Sequence, residues 1–445
     1  GGSGKGQESN TPIDSLRKLS EFLKSQYGYD TGPYDNFPDF KAKNHKILGK
    51  IDWNINNVHK LTLKYNELVS NNDVALNATS VPNGLAGAIG YSSTQRFGRN
   101  AMSFANSNYG FKDVVRNGTL ELNSNFGGRF ANQFLVTMTK IKATRTSPSE
   151  VFPFIDILNN NNNNYMSAGY EPYSYNNDVI NDVYSIINNF SYFAGRHRVT
   201  AGVSYEYQRV GNMFMPASQS YYVFNSLDDF INNRAPKGFA LTYSLVPGKE
   251  SVYSAELKLG QLGLYVQDEI TFNERLKMTF GLRLDRPIYH EDPLENPAIT
   301  ALTLPDKNGN PTHYNTGKWP KSTFYWSPRV GFRWDPEGNK VMIVRGGTGL
   351  FTGKIPFVWL TNMPTNSGMY QFGAAVSDPA QLQNFLFDPN PAAHRSKFPS
   401  EAGTSVPSAG IVLIDPDFKF PQVWRTNLAF DRSFGNGWML TMEAL

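Results

Sequence analysis

A glycine-rich segment near the end of the chain has the residue types of a phosphate-binding loop. It reads GGTGLFTGK and covers residues 346–354. A phosphate-binding loop needs a glycine five positions before its second glycine, and a serine or threonine after its lysine. Here Thr348 stands five positions before Gly353, and Ile355 follows Lys354. The spacing therefore argues against nucleotide binding and favours a glycine-rich strand end that another backbone can approach closely.

Two further polar clusters have the residue types of a metal site. Residues 306–310, DKNGN, begin like a calcium loop, but no glutamate closes the loop at the required distance. His290, Glu291 and Asp292 are consecutive, but the six histidines of the chain form no HExxH motif. We interpret the first cluster as a hairpin or loop turn and the second as an exposed loop. Calcium bound by external loops stays open as an alternative.

The remaining composition narrows the chemistry further. The chain has no cysteine, which excludes disulfides, thiol catalysis and cysteine-based zinc sites. No nucleophile motif and no carboxylate pair stands out from the sequence. We therefore predict no catalytic, cofactor-binding or metal-binding residues, and a protein that is not an enzyme. The formal net charge of +4 over 445 residues gives no reason to expect a nucleic-acid partner.

Charged side chains recur at alternate positions in segments whose other positions are apolar. This arrangement is typical of strands that have one face in lipid and the other toward a water-filled or plugged barrel interior. We expect most of these side chains to hydrogen-bond a plug rather than to contact a substrate. They are Lys50, Asp52, Lys64, Glu121, Glu206, Glu269, Lys277, Arg283, Arg329 and Arg333.

Aromatic side chains in the long connections are the best candidates for contact with an external ligand. They lie where extracellular loops would meet a solute, although the same rings could instead pack the loops against each other. The predicted substrate contacts are Tyr221, Tyr222, Phe351, Phe357 and Trp359.

The strands that must carry these residues are clearest between residues 262 and 285. Apolar and polar residues alternate there on both sides of a polar turn at residues 273–275. Alternation over two runs of about ten residues predicts a β-hairpin, and about ten residues is also what a tilted strand needs to cross a bilayer. One apolar face and one charged face at this length predict a pair of transmembrane barrel strands.

The same pattern occurs six times, with a short turn at one end of each hairpin and a long loop at the other. This predicts an all-β fold: a transmembrane, antiparallel, up-and-down β-barrel with short periplasmic turns and long extracellular loops that carry short helices. A β-propeller or a pair of β-sandwiches also uses alternating strands, but neither explains polar interior positions on strand after strand. The predicted turns are residues 56–59, 127–129, 195–197, 273–275, 335–339 and 434–437.

Short helices are expected in the long connections. Residues 11–27 have leucines at helical spacing, with Thr11 as the expected cap. Residues 226–233 predict a helical turn, and a further short helix should begin at Pro379. The asparagine tract at residues 159–164 is interpreted as a solvated loop.

Several segments resemble TonB-dependent outer-membrane transporters. In that family a Tyr-x-Gln-Asp stretch leads through a hairpin to a Gly-Leu-Arg-x-Asp stretch, and the corresponding segments here are residues 265–268 and 281–285. More narrowly, three segments resemble the Oar-like branch found in Bacteroidota. They are residues 15–34, 326–340 and 344–362.

The resemblance implies a barrel of twenty-two strands that is closed by an N-terminal plug. It also implies coupling to the TonB–ExbB–ExbD energy complex through a TonB box ahead of the plug, and in Oar-like members a carboxypeptidase-regulatory-like N-terminal domain. None of those N-terminal parts is recognisable here, and six hairpins supply about half of such a barrel. We therefore expect residues 1–445 to be an internal part of the barrel of a longer protein.

The function that this resemblance implies is import across the cell outer membrane of a bulky substrate such as a peptide, a glycan or a protein. The partners would be outer-membrane lipids, the energy complex and surface lipoproteins. The main alternative is a barrel that serves as a docking platform for surface lipoproteins or for protein secretion. A passive porin and a barrel hydrolase are further alternatives, but nothing in the sequence places the acid, base and nucleophile of a hydrolase.

Overall fold

The computed structural model describes residues 9–90, 95–407 and 410–445. The strands are β1 Ala42–Asn54, β2 His59–Val74, β3 Met102–Ser103, β4 Tyr109–Phe126, β5 Phe130–Thr146, β6 Phe154–Leu158, β7 Asn164–Ala168, β8 Asn177–Ala194, β9 His197–Phe214, β10 Tyr221–Phe224, β11 Gly238–Ser244, β12 Ala255–Thr271, β13 Leu276–Tyr289, β14 Leu304–Pro305, β15 Pro311–Thr312, β16 Tyr325–Trp334, β17 Met342–Thr352, β18 Gln371–Val376, β19 Gln422–Gly435 and β20 Trp438–Ala444.

The helices are short; α1 precedes β1, and the others lie in the connections between the long strands. None of those in the described ranges is long and apolar enough to span a membrane. They are α1 Ile13–Tyr27, α2 Leu85–Ile89, α3 Leu227–Ile231, α4 Pro297–Thr300, α5 Phe357–Thr365 and α6 Pro379–Leu382, with 3₁₀ turns at Pro82–Gly84, Ala105–Ser107 and Arg395–Lys397.

Twelve long strands form one antiparallel sheet, which we call the main sheet. Its order is β1-β2-β4-β5-β8-β9-β12-β13-β16-β17-β19-β20. These strands are the six predicted hairpins, and the sequence prediction of their short turns is confirmed. β4, for example, ends at Phe126 and β5 begins at Phe130, with Gly127 and Gly128 both at positive φ in the turn. Within the described ranges β1 and β20 do not pair with each other, so the sheet is open.

Register gives the main sheet one apolar and one polar face. Directly paired residues of an antiparallel ladder lie on the same face. Leu264 pairs with Leu284 and Tyr265 pairs with Arg283, so the two faces of β12 continue across β13. Large apolar side chains on the first of these faces are solvent-exposed, including Leu264. Exposed apolar side chains on strand after strand are what contact with lipid requires.

Aromatic side chains border the apolar face near both ends of the strands. Tyr65, Tyr184 and Tyr207 lie in one row across the sheet. Eight residues along β8 from Tyr184, Tyr192 stacks on Phe130 next to the short turns, with ring centroids 5.1 Å apart. Eight residues of strand span about 26 Å. At the usual strand tilt this is about 20 Å along the membrane normal, comparable with the height of the apolar band of a membrane barrel.

A row of charged residues lies just beyond the tyrosines, on the side of the long loops. Arg116 donates to Glu67 at 2.7 Å, and Arg209 donates to Glu256 at 2.8 Å. Charged side chains are costly in hydrocarbon, so this row marks the outer boundary of the membrane. Successive strands contribute Glu67, Arg116, Lys140, Asp182, Arg209 and Lys258 to it.

The long connections are more ordered than the sequence indicated. Their strands form a six-stranded sheet in the order β18-β11-β10-β6-β7-β3. β10 runs parallel to β6, and β3 runs parallel to β7. Alternation does not reveal these strands because they are short, and because β6, β7, β10 and β11 are buried on both faces. We call this sheet, together with α1, the external cap.

Helix α1 packs its leucines into the external cap. Leu16, Leu19 and Leu23 are buried in the same cluster as Phe224 and Phe239. The predicted helix is confirmed, but its cap is corrected: Pro12, not Thr11, occupies the N-cap position. The helical turn after Ser226 and the short helix at Pro379 are also present.

The two loop predictions that concerned turns are confirmed. The asparagine tract forms the turn between β6 and β7, although its last residue, Asn164, is buried in β7. Residues 306–310 form the turn between β14 and β15. The backbone N–H groups of Asn310 and Asn308 donate to Oδ1 of Asp306 at 2.8 Å. These hydrogen bonds hold the pKa of Asp306 below its usual value.

A substitution on β12 tests the assignment of the two faces. Leu264→Arg places a charge on the apolar face midway between the rows of rings, and we expect it to lower the free energy of unfolding by about 2–4 kcal/mol. Gln267→Arg, on the polar face of the same strand, is the control and should cost less than about 1 kcal/mol. The measurement is urea unfolding of the full-length protein in lipid vesicles. Equal losses for both variants would contradict the assignment.

Candidate functional site: the polar face and the mouth of the main sheet

A cavity of about 1000 Å³ lies against the polar face of the main sheet. Its lining comes from nine strands, from β1 to β16, so the sheet curves around this face. Glu269, Arg283 and Arg329, three of the charges predicted to face the interior, line it. We call this concave polar side the lumen face.

Hydrogen bonds connect side chains across the lumen face from strand to strand. Gln133 on β5 donates to Glu121 on β4 at 2.7 Å, and Asn189 on β8 donates to Gln133 at 3.0 Å. The Tyr265 hydroxyl on β12 donates in turn to Asn189. The guanidinium of Arg283 on β13 lies 5.1 Å from the centre of the Tyr265 ring. We call these five side chains the lumen belt.

Two glycines make the lumen belt possible. The Tyr265 ring lies over Gly202 on the neighbouring strand, where a Cβ atom would be 2.3 Å from the ring. Arg283 lies over Gly263 in the same way. Its guanidinium also donates to Ser204 at 3.2 Å and to Asp285 at 2.8 Å. Any side chain at these glycines would displace the ring and the guanidinium from the wall.

The other charges predicted to face the interior lie on the same face in separate pairs. Lys50 contacts Asp52 at 2.7 Å, and Lys277 contacts Glu269 at 3.4 Å. Lys64 pairs with Lys50 in the register of β1 and β2, and Arg333 pairs with Lys277 in that of β13 and β16. Glu206 accepts from Lys354, which reaches it from the connection after β17. The structure therefore brings these residues to one surface, and their contact with a plug stays a prediction.

Connections fold inward over the loop end of the lumen face. Leu257 and Leu259 of β12 pack there against Leu360 and Met363 of α5. Ile355, Trp319, Tyr325 and Phe420 complete this cluster. These connections cover part of the loop end of the lumen face, and we call the covered region the mouth.

The predicted aromatic contacts fall into two groups. Phe357 and Trp359 lie on α5 in this mouth, where Trp359 is 57% exposed. Phe351 lies on the lumen face of β17, with the Arg329 guanidinium 5.6 Å from its ring centre. Tyr221 and Tyr222, by contrast, are completely buried in β10 of the external cap. The expectation that these two tyrosines meet a ligand at the surface is therefore corrected.

Tyr221 belongs to a buried ion pair that the sequence did not reveal. Arg96 and Asp156 are both at most 1% exposed, and Nη2 of Arg96 donates to Oδ2 of Asp156 at 3.0 Å. Ser167 and the Tyr221 hydroxyl also donate to this carboxylate, at 2.6 Å and 2.5 Å. A fully hydrogen-bonded carboxylate can remain charged in a core. No spacing rule connects these residues, which are up to 125 positions apart.

A histidine that packs against Tyr222 and Phe239 of the external cap is held in its neutral form. Nδ1 of His394 faces the Lys397 ammonium at 2.9 Å, and Nε2 lies 2.9 Å from the carbonyl of Leu386. Burial lowers the pKa of His394, and the charge on Lys397 lowers it further. Protonation would direct a second N–H toward the ammonium.

The three side chains of the possible metal cluster at residues 290–292 each contact a different residue. His290 contacts Tyr205 at 2.9 Å, Glu291 contacts Lys258 at 2.5 Å, and Asp292 contacts Lys318 at 2.5 Å. Across the described ranges, no three His, Asp or Glu side chains lie together in a way that could hold a metal ion.

Comparison with known proteins gives one family match and several structural neighbours. The sequence model of the outer membrane beta barrel domain matches residues 20–443. Among solved structures, the outer membrane transporter YddB from Escherichia coli superposes with a TM-score of 0.55 at 12% identity, over 90% of this chain and 39% of that one. At this identity the likeness concerns the fold alone. No curated protein matches the sequence significantly.

Two further solved structures superpose less well. The siderophore receptor PirA from Pseudomonas aeruginosa has a TM-score of 0.44 and 10% identity over 90% of this chain and 45% of that one. The FrpB iron transporter from Neisseria meningitidis has a TM-score of 0.43 and 10% identity over 90% and 44%. The chain thus spans less than half the length of each of these three structures.

Separate substitutions of Tyr221 and Tyr222 test whether the buried Arg96–Asp156 ion pair stabilises the external cap. Tyr221→Phe removes a hydrogen bond to the Asp156 carboxylate, which should cost about 1.5–3 kcal/mol. Trypsin should then cut the external cap at least about tenfold faster in the detergent-purified full-length protein. Tyr222→Phe is the matched control, because the Tyr222 hydroxyl has no side-chain hydrogen-bond partner among the described residues. Equal cleavage rates for both variants would show that the ion pair does not stabilise the cap.

The His394 pKa predicts how the external cap responds to acid. Because the folded state depresses this pKa below its unfolded value of 6.5, the stabilisation is complete above pH 6.5 and is lost as pH falls through and below that value. Proteolysis of the cap should therefore accelerate from pH 7.5 to pH 5.5. His394→Gln, which can still donate and accept, should flatten this profile. An unchanged profile in the variant would assign the response to another group.

Proposed function

This chain belongs to the outer membrane beta barrel domain family, and from that premise we propose that it forms part of the wall of a TonB-dependent transporter of the Oar-like branch. Residues 20–443 match the family, and the protein is located in the outer membrane. Twelve strands would be about half of a twenty-two-stranded barrel. The remaining strands would satisfy the free edges of β1 and β20, because unpaired backbone groups in lipid are very costly.

The observation that carries the transport proposal is the lumen face. Its charges and carboxamides form cross-strand hydrogen bonds, such as Gln133 to Glu121 and Arg283 to Ser204. It also keeps a wide cavity of about 1000 Å³. A surface of this kind suits contact with a polar plug that must detach and re-dock, and it suits passage of a hydrated solute. Transport rather than catalysis is the role that we infer.

The features of the mouth favour the proposal that the solute is bulky, such as a peptide, a glycan or a protein. The connections from β13 to β16 and from β17 to β19 pack together there around Trp319, Leu360 and Phe420. Val358 and Trp359 remain exposed on α5 at 54% and 57%. In this proposal the solute binds at these exposed side chains, the plug senses it, and the TonB–ExbB–ExbD complex supplies the energy. Calcium in the external loops stays part of the proposal only as an optional stabiliser.

The external cap favours one alternative function. It has its own hydrophobic core, in which Leu19, Phe230 and Phe239 are buried. A folded cap gives surface lipoproteins or exported proteins a rigid surface to dock on. Purification of the full-length protein in mild detergent would distinguish this role. A stoichiometric lipoprotein without any solute uptake would favour the docking platform.

Uptake by living cells tests the transport proposal. We would compare peptides, glycans and proteins left in spent medium by wild-type cells, a deletion strain for this gene and a TonB deletion strain. One solute class should remain in both deletion strains and disappear in the wild type. If both deletion strains deplete every solute as the wild type does, transport is the wrong function. Depletion that needs this protein but not TonB would indicate a passive porin.

A further inference from the structure

One area of the lumen face has no side chains because three glycines lie there. Gly331 on β16 pairs with Gly347 on β17, and Gly349 follows two residues later on the same face. A cavity of about 600 Å³ lies over this area at the open edge of the main sheet, lined by Gly331 and Gly347 and also by Leu445. Glycine inside a strand weakens it and often marks a site where a ligand or another backbone approaches closely. We call these three residues the glycine floor.

Arginines surround the glycine floor. Gly349 pairs with Arg329 on β16 and with Arg425 on β19, so the two arginines lie on either side of it on the same face. Both line the cavity. Arg333 and Arg345 pair with each other on the same face, four residues from Arg329 and Gly349 in the direction of the short turns. Guanidinium groups present several N–H donors in a fixed plane that suits carboxylate and phosphate oxygens.

The described carboxylates neutralise only part of the positive charge of this area. Arg345 contacts Asp431 at 3.0 Å. In the parts of the chain that the structure describes, Arg329, Arg333 and Arg425 have no carboxylate within 4.0 Å. This part of the lumen face has more cations than carboxylates. The cations are Lys277, Arg329, Arg333, Arg345 and Arg425. The carboxylates are those of Glu269, Asp431 and Glu443.

An aromatic ring completes the lining. Phe351 lies one row above Gly349 on β17, is 40% exposed and lines the same cavity. The guanidinium of Arg329 lies 5.6 Å from its ring centre. The stem of the Arg329 side chain lies over Gly281 on β13, so Arg329 lines the cavity from the β13 side. The ring also offers an apolar surface next to the cationic one.

We propose that the glycine floor binds an anionic group, a carboxylate or a phosphate, of the solute that passes through the barrel. Arg329 and Arg425 hold its oxygens from both sides of Gly349, and Phe351 covers an adjoining apolar part. The inference rests on the proposed transport function and deepens it, because it assigns the solute to the anionic class. Binding itself is measurable without transport.

Titration with pyrophosphate tests the site. The full-length protein, purified in a non-ionic detergent at low salt, should bind pyrophosphate saturably in isothermal titration calorimetry. Arg329→Gln and Arg425→Gln should each weaken the binding about tenfold, because each removes charge-assisted hydrogen bonds. Arg432→Gln is the matched control. Arg432 lies on β19 with Arg425, but on the opposite face, and it should leave the affinity unchanged.

A second variant fills the floor without removing charge. A Cβ atom at Gly331 would meet its nearest neighbour, the carbonyl oxygen of Gly346, at 3.6 Å, which is an ordinary contact. Gly331→Val should therefore fold and yet lose most of the pyrophosphate binding. Retained affinity in this variant would overturn the placement of the anion on the floor.

The outcomes separate the two proposals. If the wild-type protein binds no pyrophosphate, for instance because an acidic segment of the same polypeptide occupies the floor, the anion site is wrong even when uptake proves TonB-dependent. Equal weakening by Arg329→Gln and Arg432→Gln would also overturn it, because the effect would then be general charge. If pyrophosphate binds as expected and the spent-medium comparison shows no uptake, only the transport proposal fails.

Discussion

Backbone hydrogen bonding is the constraint on which this structure depends. In the hydrocarbon of a membrane each unpaired N–H or C=O group costs several kcal/mol, so a spanning sheet must pair every strand. The antiparallel ladder from β1 to β20 does this without interruption through twelve strands. The short turns and long connections follow from it, since only the turns and the parts of the connections outside the lipid can leave the ladder.

The ladder also fixes which side chains can act together. Successive side chains of a strand point to opposite faces, so alternate residues face the lipid and the residues between them face the lumen. Residues far apart in the chain, such as Gln133 and Asn189, then lie side by side. The same registration places Gly349 between Arg329 and Arg425. Function in this fold is therefore a property of rows across the sheet rather than of motifs along the chain.

Alternation made the main sheet predictable from the sequence, with its six hairpins, their turns and the faces of residues such as Glu269 and Arg283. The external cap was not predictable in the same way. Its strands are only two to seven residues long, and burial on both faces removes the alternating signal. Tyr221 and Tyr222 looked like exposed loop residues for that reason. The Arg96–Asp156 pair depends on long-range packing, which no local pattern records.

The central claim is that one face of the main sheet meets lipid and the other meets the lumen. The 445 residues contain no cysteine. Once any cysteine elsewhere in the full-length protein is replaced by serine, single cysteines at successive positions 262–271 of β12 can carry spin labels in lipid vesicles. The account predicts that labels at even positions are reached by oxygen dissolved in the lipid, and those at odd positions by a water-soluble nickel complex. Uniform accessibility to the nickel complex at all ten positions would contradict a membrane-spanning wall.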